Sequence, residues 1–200
     1  MNNTSAYTKI MDNLKFLKSK ESINVLDKTL NYVNRNNLSY IDGLLYFTEA
    51  QVDQKKENLI KHSVNMAGFP KVKTLSDFDF EYQPSINQQQ IYDFNSLRFI
   101  DKQENIVFYG NSGVGKTHLA TALGVTAAKN RNSTYFIKCA DLMEALHKAQ
   151  LEGRLAERLK KFSGYKLLII DELGYLPISK SDSKLFFQLI DKRYERNSTI

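Results

Sequence analysis

The chain has 200 residues, 42% hydrophobic and 25% charged, which suffices for one medium domain and a small appendage. The opening MNNTSAYTKIMDN has no apolar stretch of signal-peptide type, and no apolar run approaches the roughly 18 residues of a membrane span. The single cysteine, Cys139, excludes an intramolecular disulfide and suits a reducing compartment, so a cytoplasmic protein with no membrane partner is expected.

The net charge of +6 and pI of about 9.2 make nucleic acid a candidate partner. His62, His118 and His147 are scattered, and none has metal-ligand spacing with a cysteine or an acid.

Residues 1–66 contain no proline, and Gly43 is their only glycine. Apolar residues recur at helical spacing, first at Ile10, Leu14 and Leu17, then at Val25, Leu26, Leu30 and Val33. Further sets follow at Ile41, Leu44, Leu45 and Phe47, and at Leu59, Ile60 and Val64. The pattern predicts three or four amphipathic helices, with a break in NRNNLS (34–39). Such a domain either packs on its own account or contacts a partner protein or DNA.

Residues 67–103 place Phe69, Phe78, Phe80 and Tyr82 around Pro70 and Pro84. That aromatic density predicts a linker that packs, since flexible tethers are poor in aromatics. QQQIYDFNSLRFI reads as one helix leading into the next strand.

From residue 104 to 200 the rhythm becomes strand, turn, helix, repeated. ENIVFY, STYFIK and KLLIID read as buried strands, and KTHLATALGVTAAKN and SDSKLFFQLIDKRYER as helices. DLMEALHKAQLEGRLAERLKKF reads as one helix or two, interrupted near Gly153. The alternation predicts an α/β domain with a parallel sheet covered by helices on both faces.

Gly110, Asn111, Ser112, Gly113, Val114, Gly115, Lys116 and Thr117 match the phosphate-loop pattern G-x-x-x-x-G-K-S/T, with a predicted strand before and a helix after. Glycines let the backbone turn its N–H groups onto a phosphate, and the helix N-terminus adds partial positive charge. Lys116 can reach the β- and γ-phosphates, the Thr117 hydroxyl can ligate Mg²⁺, and His118 opens the helix beside them. The bound molecule expected here is ATP with Mg²⁺.

A second signal is Lys166-LLII-Asp171-Glu172. A buried strand ending in acids sets them at the carboxyl edge of the sheet, where open α/β folds bind ligands. Asp171 is expected at the Mg²⁺ and Glu172 as the base that activates water. No arginine-rich lid insertion accompanies these motifs, so hydrolysis is favoured over transfer to an acceptor. A phosphotransferase stays as the alternative.

GNSGVGKTHLATALG, LLIIDELGYLP and LFFQLIDKRYERNSTI together resemble the IstB-like helper ATPases of bacterial insertion sequences, AAA+ proteins related to the DnaC helicase loader. The resemblance begins near Phe69-Pro70 and runs through residue 200. It implies a P-loop NTPase fold of AAA+ type with a small helical N-terminal domain. It also implies ATP-dependent self-association on duplex DNA, in service of a cognate transposase. A loader acting in replication and a non-hydrolysing binding module are the alternatives. The resemblance further implies that Phe78, Phe80 and Ile86 abut the adenine.

In that family Asn197–Ile200 open a further strand, followed by a sensor residue, more helices and a trans-acting arginine. A chain ending here is expected to leave a gap in the sheet between the phosphate-loop strand and the Asp171 strand, and to turn over ATP poorly.

Lys148, Arg154, Arg158, Lys160, Lys161 and Lys166 face only Glu152 and Glu157 between residues 147 and 166. Arg154, Arg158 and Lys161 fall at helical spacing. With Lys160 they are either a DNA-phosphate contact or a solvated surface. Tyr135, Tyr165 and Tyr175 read as packing residues.

Overall fold

A computed structural model describes residues 3–174 and 179–200. Tyr175 and the end of the LGYLP motif lie outside the described residues. The chain divides into two compact units, Met1–Leu59 and Ile60–Ile200. No helix among the described residues is long and apolar enough to cross a membrane.

The first unit is helical. Helices α1 (Asn3–Phe16) and α2 (Lys20–Asn36) are followed by α3 (Tyr40–Met66), whose last turns belong to the second unit. The break in NRNNLS falls where Asn37 turns left-handed (φ 47°) and its N–H closes on the Val33 carbonyl, a C-cap that asparagine tolerates. Ser22 Oγ donates to Gln51 Oε1 at 2.6 Å, and Tyr32 stacks on Tyr46 at 4.2 Å, tying α2 to α3. Val25 and Leu26 are buried, whereas Ile41, Leu44 and Leu45 remain exposed. The helical periodicity is therefore real, but it does not mark a single buried face.

In the second unit a parallel sheet of order β1-β2-β3 forms from β1 (Thr134–Lys138), β2 (Leu167–Asp171) and β3 (Ser198–Thr199). The 2-residue period sends Phe136, Leu167 and Ile169 to one face and Ile137 and Leu168 to the other. The first face packs on α5 (Arg98–Asp101) and α6 (Lys116–Lys129), with α4 (Gln88–Asn95) on α6. The second packs on α7 (Cys139–Leu151), α8 (Leu155–Ser163) and α9 (Lys180–Arg193). Helix α6 is buried nearly all round by a run of small residues, and a Cβ at Gly124 would sit 2.5 Å from Ile169 Cδ1. A larger residue here would have to displace the Ile169 and Phe69 side chains, so glycine favours the close approach of this helix to the sheet.

Two expectations change. QQQIYDFNSLRFI forms α4 and α5 rather than one helix, because Leu97 turns left-handed (φ 64°) between them while its side chain is buried. The stretch 141–162, read as one helix or two, is two, separated at Gly153 (φ 69°) where the interruption was expected.

The second concerns ENIVFY, which carries no regular ladder. Ile106 N–H donates to Thr199 O at 3.0 Å and Asn105 Oδ1 accepts from Thr199 N–H at 2.8 Å, but Val107 and Tyr109 are 86% and 99% exposed. The segment is buried on one face only, through Ile106 and Phe108. The expected gap beside β2 is also corrected at its base. Ser198 and Ile200 N–H groups donate to Lys166 O and Leu168 O, so residues 198–200 stand between β2 and the 105–106 backbone.

Arg193 fixes this arrangement. It is buried, and its guanidinium donates to Phe162 O and Tyr165 O at 2.8 Å, to Thr199 Oγ1 at 3.0 Å and to Ser198 O. The carbonyls left open at the end of α8 and the start of β3 thus share one planar donor. Burial pulls the guanidinium pKa down to about 10, so it stays charged at neutral pH.

Candidate nucleotide site

Parallel strands put their carboxyl ends on one edge, and the sequence places a functional group at each. Lys138 ends β1 in register with Asp171, which ends β2. The loop Gly110–Gly115 follows the 105–109 segment at that edge and delivers Lys116 and Thr117 as the first residues of α6. Gly115 is the N-cap of α6 with φ 94°, a backbone that L side chains rarely adopt. Ser112 and Gly113 are exposed at the loop tip, and a Cβ at Gly113 would meet nothing.

Two motifs 54 residues apart meet here. Thr117 Oγ1 donates to Asp171 Oδ2 at 2.8 Å. Lys116 Nζ lies across the loop and donates to Gly110 O at 2.8 Å and Asn111 O at 2.7 Å. A hydroxyl, a carboxylate and an ammonium thus converge on one glycine-rich turn at a helix N-terminus. Hydroxyl and carboxylate oxygens are the hard donors that Mg²⁺ takes, so the residues fit Mg²⁺ beside a phosphate chain.

Glu172 stands just past the strand at φ 61°, a left-handed backbone that costs energy for a non-glycine residue. Its Oε1 accepts from Lys138 Nζ at 3.0 Å. That hydrogen bond, reinforced by the two charges, raises the Lys138 pKa. The sequence reading missed Lys138. Its signal was a strand ending in lysine, parallel to one ending in Asp-Glu.

Beside the loop lies a cavity of about 620 Å³ walled by Ile86, Ile91, Phe94, Phe108, Tyr109, Val114 and Leu119, with Gln83, Asn87, Gln90 and Asn105 among its polar lining. Of the three residues the resemblance puts at the adenine, Ile86 lines this cavity. Phe78 and Phe80 pack instead on each other, ring centroids 4.8 Å apart. His118 does not turn toward the loop. Its Nε2 lies 3.1 Å from Thr74 O, and its ring meets Phe78 edge-on at 5.2 Å.

The basic residues are split. Arg154 is the N-cap of α8 rather than a helical residue. With Arg158 and Lys161 it lines a shallow concavity of about 200 Å³ that Glu152 and Glu157 also enter, while Lys160 does not line it. Arg154 pairs with Glu152, and the Arg158 guanidinium sits 5.8 Å from the Phe162 ring centroid. Tyr135 and Tyr165 stack on each other at 5.0 Å, as expected of packing residues.

A family model described as IstB-like ATP binding protein matches residues 12–200. The chain belongs to this family. A relative from Bacillus thuringiensis subsp. berliner, named as an ATP-binding protein of insertion sequence IS232, is 54% identical over 196 residues, 98% of this chain and 78% of the relative. A similarly named IS5376 protein from Geobacillus stearothermophilus is 39% identical over 164 residues, and one of IS21 from Pseudomonas aeruginosa is 35% identical over 175. This IstB-like chain spans 65% and 66% of the length of those two.

Among solved structures, AMPPCP-bound DnaA from Aquifex aeolicus superposes with a TM-score of 0.55 at 22% identity, over 65% of this chain and 41% of that one. DnaA bound to AMPPCP and single-stranded DNA gives 0.53 at 22% identity, with the same coverage of each chain. The likeness supports the fold class read from the sequence, a P-loop α/β sheet flanked by helices, and α1 to α3 supply the helical N-terminal region expected.

Proposed function

We propose that this IstB-like protein binds ATP with Mg²⁺ at the loop 110–118 and acts as the ATP-dependent helper of an insertion-sequence transposase. The observation that carries the nucleotide reading is the 2.8 Å bond from Thr117 Oγ1 to Asp171 Oδ2, which joins the loop motif to the acidic strand end. In this reading the loop N–H groups of Gly110, Asn111, Ser112, Gly113, Val114 and Gly115, with those of Lys116, Thr117 and His118, cradle the phosphates. Lys116 exchanges its two carbonyl partners for phosphate oxygens. Thr117 and Asp171 hold the Mg²⁺, which supplies positive charge to the β- and γ-phosphates when bound. The cavity beside Ile86 takes the nucleoside.

Glu172 is the proposed base: it takes a proton from water as the water oxygen bonds the γ-phosphorus and the bond to the β–γ bridging oxygen breaks. Lys138 orients its carboxylate from the neighbouring strand. Removing such a base costs about 10²–10⁴ in rate. Steady-state phosphate release should therefore fall about a hundredfold or more in Glu172→Gln while ATP still binds. Turnover unchanged in Glu172→Gln would contradict the assignment.

The names of the relatives support the setting: each describes an ATP-binding protein of an insertion sequence. We read the partners as duplex DNA, the cognate transposase and further copies of this chain, assembled when ATP is bound. Arg154, Arg158, Lys160 and Lys161 are the proposed phosphate contacts. Their joint replacement by alanine should weaken binding to any duplex and flatten its salt dependence. Sequence-selective loss, or none, would place DNA elsewhere on the molecule.

A further inference from the structure

The segment 74–80 touches the phosphate loop from below, and its contacts differ from those expected of a base-binding element. A Cβ built on Gly115 would lie 2.5 Å from Phe78 Cε2 and 3.1 Å from Cζ, so the Phe78 ring occupies the space a side chain there would need. Gly113, two residues earlier, has nothing against it.

The ring is itself held on two sides, by His118 at 5.2 Å and Phe80 at 4.8 Å. His118 is additionally tied to Thr74 O at 3.1 Å. Thr74 is fixed in turn by Asp77 Oδ2, which accepts from its N–H at 2.8 Å and its hydroxyl at 2.7 Å. A short 3₁₀ turn, Leu75–Asp77, sets the segment's curvature, with buried Leu75 as its anchor. Phe78 does not line the cavity beside the loop.

We propose that Phe78 is a positioning residue for the phosphate loop, its ring clasped by His118 and Phe80 so that it seats the Gly115 backbone and fixes the direction of the N–H groups at the start of α6. This rests on the nucleotide reading of the loop given above. Glycine imposes no side-chain restriction on the peptide units around Gly115, so nothing within the residue itself fixes their direction. A rigid ring against that glycine removes the freedom before ligand arrives, and pre-organisation of this kind appears as affinity. The effect acts on phosphate recognition and is indifferent to the base.

The test uses the full chain and measures Mg²⁺-dependent binding of ATP, GTP and inorganic tripolyphosphate by calorimetry. Phe78→Ala should weaken ATP and tripolyphosphate by the same factor, about tenfold, with the ATP-to-GTP ratio unchanged. Phe78→Tyr, which keeps the ring, should restore both. Ile86→Ala should weaken ATP and leave tripolyphosphate alone.

Leu142→Ala removes buried volume from the cluster on the other face of the sheet, so it should lower the melting temperature yet leave tripolyphosphate binding intact. The proposal is overturned if Phe78→Ala loses ATP but keeps tripolyphosphate, which would make the ring a base contact. It is equally overturned if Leu142→Ala weakens tripolyphosphate as much, or if Phe78→Ala weakens neither ligand. Wild type that binds no ligand and matches Lys116→Ala would remove the nucleotide reading itself, and this proposal with it.

Discussion

The two units bury their apolar residues to very different degrees. In the α/β unit Leu123, Leu142, Leu146, Leu167, Leu168, Ile169 and Leu189 are essentially inaccessible to solvent. The helical unit buries Val25 and Leu26 but leaves Phe16 at 87%, Tyr40 at 84% and Ile41 at 69% exposure. Both sequences carry strong apolar periodicity, so periodicity alone does not reveal how much area a fold removes from water. A sheet offers two broad faces to many helices, whereas three helices in an open arrangement offer each other narrow stripes. The stability of the second unit leans on burial worth about 25 cal/mol per Å², a contribution of which the first unit has less.

This contrast can be sharpened by mutation. Leu142→Ala, at a fully buried site of α7, should lower stability by about 2–5 kcal/mol in denaturant unfolding. Arg193→Met should cost at least about 3 kcal/mol, since it strands the carbonyls of Phe162, Tyr165 and Ser198 that the guanidinium satisfies. Near-normal stability in either variant would mean the α/β core is far looser than its burial implies.

A smaller effect sits at the start of α9. Asp182 caps that helix through Ser179 and pairs with His147 of α7. The Ser179 hydrogen bond, then His147, pulls its pKa from 3.8 to about 2. A carboxylate with a depressed folded pKa contributes stability above its unfolded pKa and loses it as pH falls through the folded one. The melting-temperature gap between wild type and Asp182→Asn should therefore be full at pH 6, shrink between about pH 4 and 2, and vanish below that. A gap that does not change across this range would remove the carboxylate's charge from the explanation.

The smallest effect is expected at Phe16→Ser in the helical unit, within about 0.5 kcal/mol of wild type in the same unfolding measurement. A loss as large as that of Leu142→Ala would erase the distinction between the units.

Legibility followed the same division. The strand KLLIID and the loop 110–117 could be read directly, because continuous burial and phosphate-loop chemistry each impose a tight residue pattern. The meeting of Thr117 with Asp171 follows from parallel topology once both lie at one sheet edge. Other features depend on tertiary context that no local pattern encodes. Leu97 adopts a left-handed backbone because its side chain is needed in the core. Val107 and Tyr109 look like strand interior but face solvent. Lys138 gains its role only from the strand beside it, and Phe78 from a glycine 37 positions away. Arg193 was visible as a charge near the end of a helix, but its burial among carbonyls was not.

The most direct test of the central claim, that the loop at the start of α6 holds ATP, is thermal unfolding of the purified chain with and without Mg-ATP, alongside Lys116→Ala. A ligand that binds only the folded state raises the midpoint, by about 2.7 kcal/mol of stabilisation at a hundred times its Kd. The account predicts a clear rise in the wild type that disappears in Lys116→Ala. An equal rise in both, or none in the wild type, would contradict it.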